Sequence, residues 1–369
     1  MSDARARVDA FLDAAARATR PRPADELLHR LAVESGLSVG GARHAIAQLL
    51  EVDAHAHERA GMIEHAADAG GRPAIAVILA SNVFTAPLRA IAWALARAPR
   101  VVVRASRRAW LFPATLASHC AGGAGAFELL PNADAPERDL DALLALLPAS
   151  GEVHAYGGDD AIASIAGAVV ARTDLSLEAH GSGFGAIVAS SDAIVASADA
   201  IALDVAAFDQ RGCLSPRIAF VLGDHARAAD ALHEALARVA TQLPRGTLDA
   251  RELGQLRLAC DVAAFHGRAL IAADHAVLDL GAVPGAPIGP IGRVLPLVSV
   301  ASVEEAALRL APIEASLTVV AIDRSTLGDR PATLFGQRVR ATELGSMQRP
   351  PLSIGPVDAR RHPRNVLAR

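Results

Sequence analysis

Residues 74 to 106 read AIAVILASNVFTAPLRAIAWALARAPRVVVRAS. Ala74 to Ala80 is a continuous apolar run of strand length, Pro87 to Ala98 has the length and composition of a helix, and Val101 to Ser106 is a second strand-like run. A strand that is apolar at every position must be covered on both faces, and a helix between two such strands makes them parallel. The alternation continues beyond the quoted stretch. It predicts helices over 110–120, 139–147 and 159–170 and strands over 126–130 and 153–157, hence a parallel sheet with helices on both sides. Ligands of such sheets bind at the carboxyl ends of the strands.

On the N-terminal side the pattern is helical to about residue 70. Val8, Phe11, Leu12 and Ala15 fall on one helical face, and Pro21 and Pro23 end that helix. DELLHRLAVESGLSVGGARHAIAQLLE has a helix-turn-helix outline around Gly36. Only Arg43 and His44 give its second helix polar reach, so a hairpin packed on a larger domain is expected rather than a DNA reader. On the C-terminal side, Leu175–Leu177 and Ala186–Ala189 predict strand segments around a glycine-rich bend holding Glu178 and His180. Helices are expected over 199–208 and 226–243, and 244–290 is expected to be irregular. An α/β pattern then resumes over 294–323, before a proline- and arginine-rich tail expected to be loop.

No G-x-G-x-x-G follows the first strand. The better phosphate candidate is Gly157-Gly158, which ends a strand and opens a helix. Asp159 and Asp160 follow it and would repel an anion, so these glycines read equally well as a plain helix start. In AAFDQRGCLSPRIAFVLG, residues 206–223, Cys213 sits on a turn that leads into an apolar strand. A thiol so placed is held rigidly and stays reachable, which suits a covalent catalyst; the alternative is a small structural cysteine.

Bulk properties exclude several classes. The chain has 369 residues, 36 basic residues, all arginine, and a net charge of −4, which offers no electrostatic footprint for nucleic acid or for a membrane surface. Its three cysteines, Cys120, Cys213 and Cys260, lack metal-ligand spacing, so no metal is expected and a reducing cytoplasm is. No signal-peptide core and no apolar run of transmembrane length is present.

Three segments together resemble the aldehyde dehydrogenase superfamily: the quoted stretch 74–106, LSLEAHGSGFGAIV, and AFDQRGCLSPRIAFV. The wording AYGGDDAIASI, the His180-Gly181 bend, DQRGCLSP and the closing ELGSMQRPP are most similar to the LuxC-type acyl-CoA (fatty acyl) reductases, over roughly residues 20–350. The resemblance implies an α/β, aldehyde dehydrogenase-like fold of two Rossmann-like lobes with a helical N-terminal segment. The expected boundaries are 1–70 for that segment, 71–180 for a cofactor-binding lobe, 181–345 for a catalytic lobe and 346–369 for a tail. It also implies reduction of an acyl-CoA or acyl-protein thioester to an aldehyde, with Cys213 as nucleophile. Asn82 would stabilise the oxyanion, and Glu178 and His180 would shuttle a proton or tune the thiol. Arg104 stands where the superfamily has a lysine at the adenosine ribose, with Ser106 beside it. An arginine suits a 2′-phosphate, so NADPH is expected over NADH, held by Arg104, Ser106, Gly157 and Gly158. Acyltransferase or synthetase partner subunits and self-association are compatible with this reading. The rival functions are an aldehyde-oxidising dehydrogenase that uses Glu178 to activate water, a degenerate scaffold or acyl-carrying homologue, and a DNA-binding regulator.

Overall fold

The computed structural model describes residues 2–20, 23–131 and 136–356. Its helices are α1 (Ser2–Thr19), α2 (Asp25–Ser35), α3 (Val39–His44), α4 (Ala56–Asp68), α5 (Ala86–Arg97), α6 (Leu111–Cys120), α7 (Pro136–Ala145), α8 (Asp159–Val170), α9 (Ser191–Ala196), α10 (Ala198–Ala206), α11 (His225–Gln242), α12 (Ala250–His266), α13 (Val303–Leu310) and α14 (Arg324–Leu327). Its strands are β1 (Ala74–Ile78), β2 (Arg100–Arg104), β3 (Glu128–Leu129), β4 (Glu152–Tyr156), β5 (Ser176–His180), β6 (Phe184–Ser190), β7 (Pro216–Leu222), β8 (Arg268–Ile271), β9 (Ala276–Asp279), β10 (Val294–Val300), β11 (Leu317–Ala321) and β12 (Arg340–Thr342). Two compact units result. One takes Met1–Ser35, Ile46–Ser182 and Pro350–Arg369; the other takes Gly36–Ala45 and Gly183–Arg349.

The first unit is built on a five-stranded parallel sheet of order β3-β2-β1-β4-β5. Every residue of β1 is buried, as its unbroken apolar sequence requires. Ala74, Ala76 and Ile78 pack with Leu143, Leu144, Ile162 and Ile165 of α7 and α8, while Ile75 and Val77, on the opposite face, are equally buried. Helix α5 is buried from Pro87 to Arg97 because α1 and α4 pack over it. Helices α1 and α4 therefore spend their apolar faces on this unit. Helix α2 joins them: the Glu34 carboxylate accepts the Trp110 and Leu111 N–H groups (2.6 and 3.1 Å) and so caps α6.

The tail also returns here. Arg89 of α5 is buried, paired with Glu51 (2.7 Å), and donates to the carbonyls of Pro350 (2.6 Å), Pro351 (3.1 Å) and Gly355 (2.8 Å). The tail expected to be loop thus contains a fixed turn at Leu352–Ile354. The remainder of that expectation, and Pro21 as a helix breaker, lie outside the described residues.

The second unit holds a seven-stranded sheet of order β12-β11-β6-β7-β10-β9-β8, parallel except for the antiparallel edge strand β8. Ile218 and Phe220 of β7 pack with Val298, Val303, Ala306 and Leu317 on one face; Ala219 and Val221, on the other, are buried as well.

Two sequence expectations are corrected. Residues 244–290 are not irregular: they form α12, β8 and β9. Helix α12 starts with a capping box between Asp249 and Glu252, but exposes Leu258, Val262 and Phe265, which blurs its helical pattern. Glu178 and His180 do not lie in a bend; both are in β5, alternating with the core residues Leu177 and Ala179.

Candidate active site

The sequence-predicted residues divide between the units: Asn82, Arg104, Ser106, Gly157, Gly158, Glu178 and His180 belong to the first and Cys213 to the second.

In the first unit the parallel register sets Ile78 opposite both Arg104 and Ala155, and Tyr156 opposite His180. The carboxyl ends of β2, β1, β4 and β5 therefore form one edge. The loop after β1 carries an exposed Asn82 there. Half-buried Arg104 ends β2, and the Ser106 hydroxyl accepts the Arg108 N–H (3.3 Å), closing a turn that exposes Arg107 and Arg108. Gly157 and Gly158 connect β4 to α8. Gly158 is the N-cap of α8 without a side-chain cap, and the Asp159 carboxylate accepts the Ser182 N–H (3.0 Å). That bond engages one of the two carboxylates that argued against an anion at this helix start. The rings of Tyr156 and His180 stack, with centroids 4.1 Å apart. Basic side chains and an uncapped helix N-terminus on the carboxyl edge of a parallel sheet fit an anionic dinucleotide.

Glu178 and His180 belong to a buried network that was not foreseen. Glu152, His154 and Glu178 present ligand atoms within 4.8 Å of one another, a geometry that could hold a metal ion. A guanidinium already fills that centre. Arg97 Nη1 contacts the carboxylate of Glu152, His154 Nε2 at 3.3 Å and Glu178 Oε2 at 3.3 Å. Arg72 adds a 2.8 Å pair to Glu152. Burial pushes the Glu152 carboxyl up, but hydrogen bonds and charge from His154 and Arg97 outweigh it and hold the group well below the usual carboxylate range. Glu178 lies 3.7 Å from His180 Nε2. The two predicted residues are thus together, with Arg97 and His154 as neighbours. The signal available in the sequence was the period-2 alternation of polar residues in EVHAY and SLEAH.

In the second unit Cys213 is half-buried on the turn before β7. The backbone three to five residues before it is tightly constrained. Phe208, Asp209 and Gln210 all have positive φ (51°, 50° and 62°), a run of left-handed non-glycine residues that costs on the order of 1 kcal/mol each. Buried polar bonds over-determine it. Asp209 accepts from Arg293 Nε (2.8 Å) and from the Gly246 N–H (3.0 Å), and its carbonyl accepts the Gly292 N–H (2.9 Å). Gln210 is fully buried. Its amide donates to the Pro216 and Val294 carbonyls (2.8 and 3.0 Å) and accepts the Val294 N–H (2.6 Å), joining the starts of β7 and β10. Thr318 Oγ1 donates to the Cys213 carbonyl.

The ELGSMQ segment closes the other side. Buried Asp204 accepts the Met347 N–H (3.1 Å), and the Gln348 amide donates to the Asp204 carbonyl (2.9 Å) and to Ser215 Oγ (3.3 Å). Burial raises the Asp204 carboxyl to about 6, against the backbone N–H groups that favour its ionised form. The other cysteines are poorly suited to nucleophilic chemistry. Burial pushes the Cys120 thiol up to about 11, and burial with nearby Asp261 pushes Cys260 up as well.

The two sheets define an aldehyde dehydrogenase fold, and solved structures agree. An aldehyde dehydrogenase from Brucella melitensis biovar abortus 2308 superposes with a TM-score of 0.67 at 14% identity, covering 93% of this chain and 77% of that one. An NAD-dependent aldehyde dehydrogenase from Sinorhizobium meliloti gives 0.66 at 17% identity, covering 93% and 75%. The gamma-glutamyl-gamma-aminobutyraldehyde dehydrogenase of Burkholderia cenocepacia J2315 gives 0.64 at 18% identity, covering 92% and 76%. The comparison with curated proteins finds no match. The family model for acyl-CoA reductase (LuxC) matches residues 57–349. The chain belongs to that family, and is an aldehyde-forming oxidoreductase of the acyl-CoA reductase class.

Proposed function

We propose that the protein reduces an acyl thioester, carried by coenzyme A or by a protein, to an aldehyde through an acyl-Cys213 intermediate, with NADPH as reductant. The observation that carries this reading is the Phe208–Gln210 turn. Three strained residues, locked by the Asp209–Arg293 pair and the Gln210 amide, fix the backbone before a half-buried thiol. Strain that the surroundings over-determine is a mark of a functional segment.

The Cys213 thiolate forms a bond to the thioester carbonyl carbon, the bond to the leaving thiolate breaks, and that thiolate takes a proton. A bound nicotinamide supplies the hydride. The carbon–sulfur bond to Cys213 then breaks, which releases aldehyde and restores the thiolate. The Asn82 amide is proposed as donor to the oxyanion, on the resemblance of its loop. Arg104 and Ser106, with Gly157 and Gly158, are proposed to hold the cofactor. The run Arg104, Arg107 and Arg108 supports the 2′-phosphorylated form.

The network around Glu178 favours reduction over aldehyde oxidation. Its carboxylate is engaged by Arg97 and His154, which restricts its freedom to orient a hydrolytic water. Glu178→Gln is expected to leave aldehyde formation from acyl-CoA within about threefold of wild type. A loss of a hundredfold or more, with aldehyde oxidation to acid in the wild type, would favour the dehydrogenase reading.

A further inference from the structure

Arg217 is the second residue of β7, four positions after Cys213 and on the same turn-to-strand segment. It is half-buried. Its Nε donates to the Gly289 carbonyl (2.6 Å), and the Gly289 N–H donates back to the Arg217 carbonyl (2.8 Å). The first bond holds the guanidinium through Nε, and the second braces Gly289 on the Arg217 main chain. Beyond the Nε bond, the Arg217 side chain has no hydrogen bond and no ion pair among the described residues. This sets it apart from the arginines beside it. Arg293 and Arg211 both contact Asp209, Arg211 also contacts Glu252, and Arg245 has Asp274 and Asp209 as countercharges. Burial alone pulls the Arg217 guanidinium down, to about 10, with no carboxylate opposing the shift. A desolvated cation without a counterion destabilises the fold unless something else compensates. A guanidinium pinned through Nε presents its two terminal nitrogens as a fork suited to two oxygens of one oxyanion.

We propose that Arg217, braced by Gly289, is the binding point for a phosphate group of a ligand brought to the unit that carries Cys213. Two sources share that chemistry, the phosphates of a nucleotide-bearing thioester donor and those of the reducing cofactor. The inference rests on the proposed acyl-thioester reaction for the identity of the ligand. The unpaired guanidinium is independent of it.

The test uses the full chain as wild type, Arg217→Gln, Arg217→Lys and Arg217→Met. Calorimetric titration with inorganic pyrophosphate, coenzyme A, pantetheine, NADPH and NADH reads binding without turnover. Wild type should bind pyrophosphate, and Arg217→Gln should weaken it roughly 10- to 100-fold, with Arg217→Lys between. Loss carried over to coenzyme A but not to pantetheine assigns the phosphate to the thioester donor; loss carried over to both nicotinamide nucleotides assigns it to the cofactor. Thermal unfolding separates this role from a structural one. Arg217→Met should melt at or above the wild-type temperature, because it removes an uncompensated cation. Unchanged pyrophosphate binding in Arg217→Gln, or a large fall in melting temperature in Arg217→Met, overturns the proposal. Labelling of Cys213 by a phosphate-free acyl thioester of N-acetylcysteamine tests the proposed reaction separately. In that assay wild type should be labelled and Cys213→Ser should not.

Discussion

At the scale of single residues, the cysteine is the least unusual member of its turn. Phe208, Asp209 and Gln210 adopt a backbone that their side chains disfavour, and the Asp209 carboxylate and Gln210 amide hold them there. Asp209 and Arg293 are both almost completely buried, at 1% and 2% side-chain exposure. Removing one partner leaves the other charged in a low-dielectric interior, at a cost of about 3–5 kcal/mol. Asp209→Ala should therefore lower the unfolding free energy by about that much in chemical denaturation, and acylation of the thiol should fall even under conditions where the variant stays folded. A variant as stable and as readily acylated as wild type would show that the turn needs no such lock. Cys213 was legible in the sequence because a thiol before an apolar strand is a local pattern. The lock was not, because Arg293 and Val294 lie 84 residues away from Asp209 and Gln210.

At the scale of elements, strands β1, β2, β7 and β10 could be read from the chain because burial on both faces demands near-continuous apolar runs. Helix α12 could not, because its apolar residues do not keep to one face. The cap at Asp249 and Glu252 was the usable signal. Strand β5 was cut short at Leu177 because Glu178 and His180 face a charged network, a tertiary property. The ELGSMQ segment docks on α10 and the Cys213 turn through Asp204, which gives that contact a pH dependence. The Asp204 pKa is raised from 3.8 to about 6, so its stabilising contribution is present at low pH and lost as the pH rises through about 6. The full loss is on the order of 3 kcal/mol. His275, lowered to about 4 by burial and His233, works in the opposite sense over an overlapping range. The measurement is therefore the difference between wild type and Asp204→Asn, with stabilities taken from pH 4 to pH 8. The variant should gain on wild type as the pH increases; a difference that stays flat would remove Asp204 as the titrating group.

At the scale of the whole molecule, the chain runs through two α/β units. Helices α1, α2 and α4 and the returning tail complete the first, and the strained turn is set into the second. The class of fold was legible from the strand and helix alternation, and the family from the segments around Asn82, Glu178 and Cys213; the family model matches residues 57–349. The proposed function assigns cofactor choice to the carboxyl edge of the first sheet. Arg104→Ala should weaken NADPH at least tenfold more than NADH, since only NADPH carries the 2′-phosphate; equal losses in a fluorescence titration would take Arg104 out of that role. The central claim is that one thiol carries the acyl group. Intact-mass analysis with peptide mapping after incubation with a panel of acyl-CoAs, without reductant, addresses it most directly. The account predicts a single acyl adduct on Cys213, none on Cys120 or Cys260, and none in Cys213→Ser. Equal labelling of the Cys213→Ser protein would contradict it.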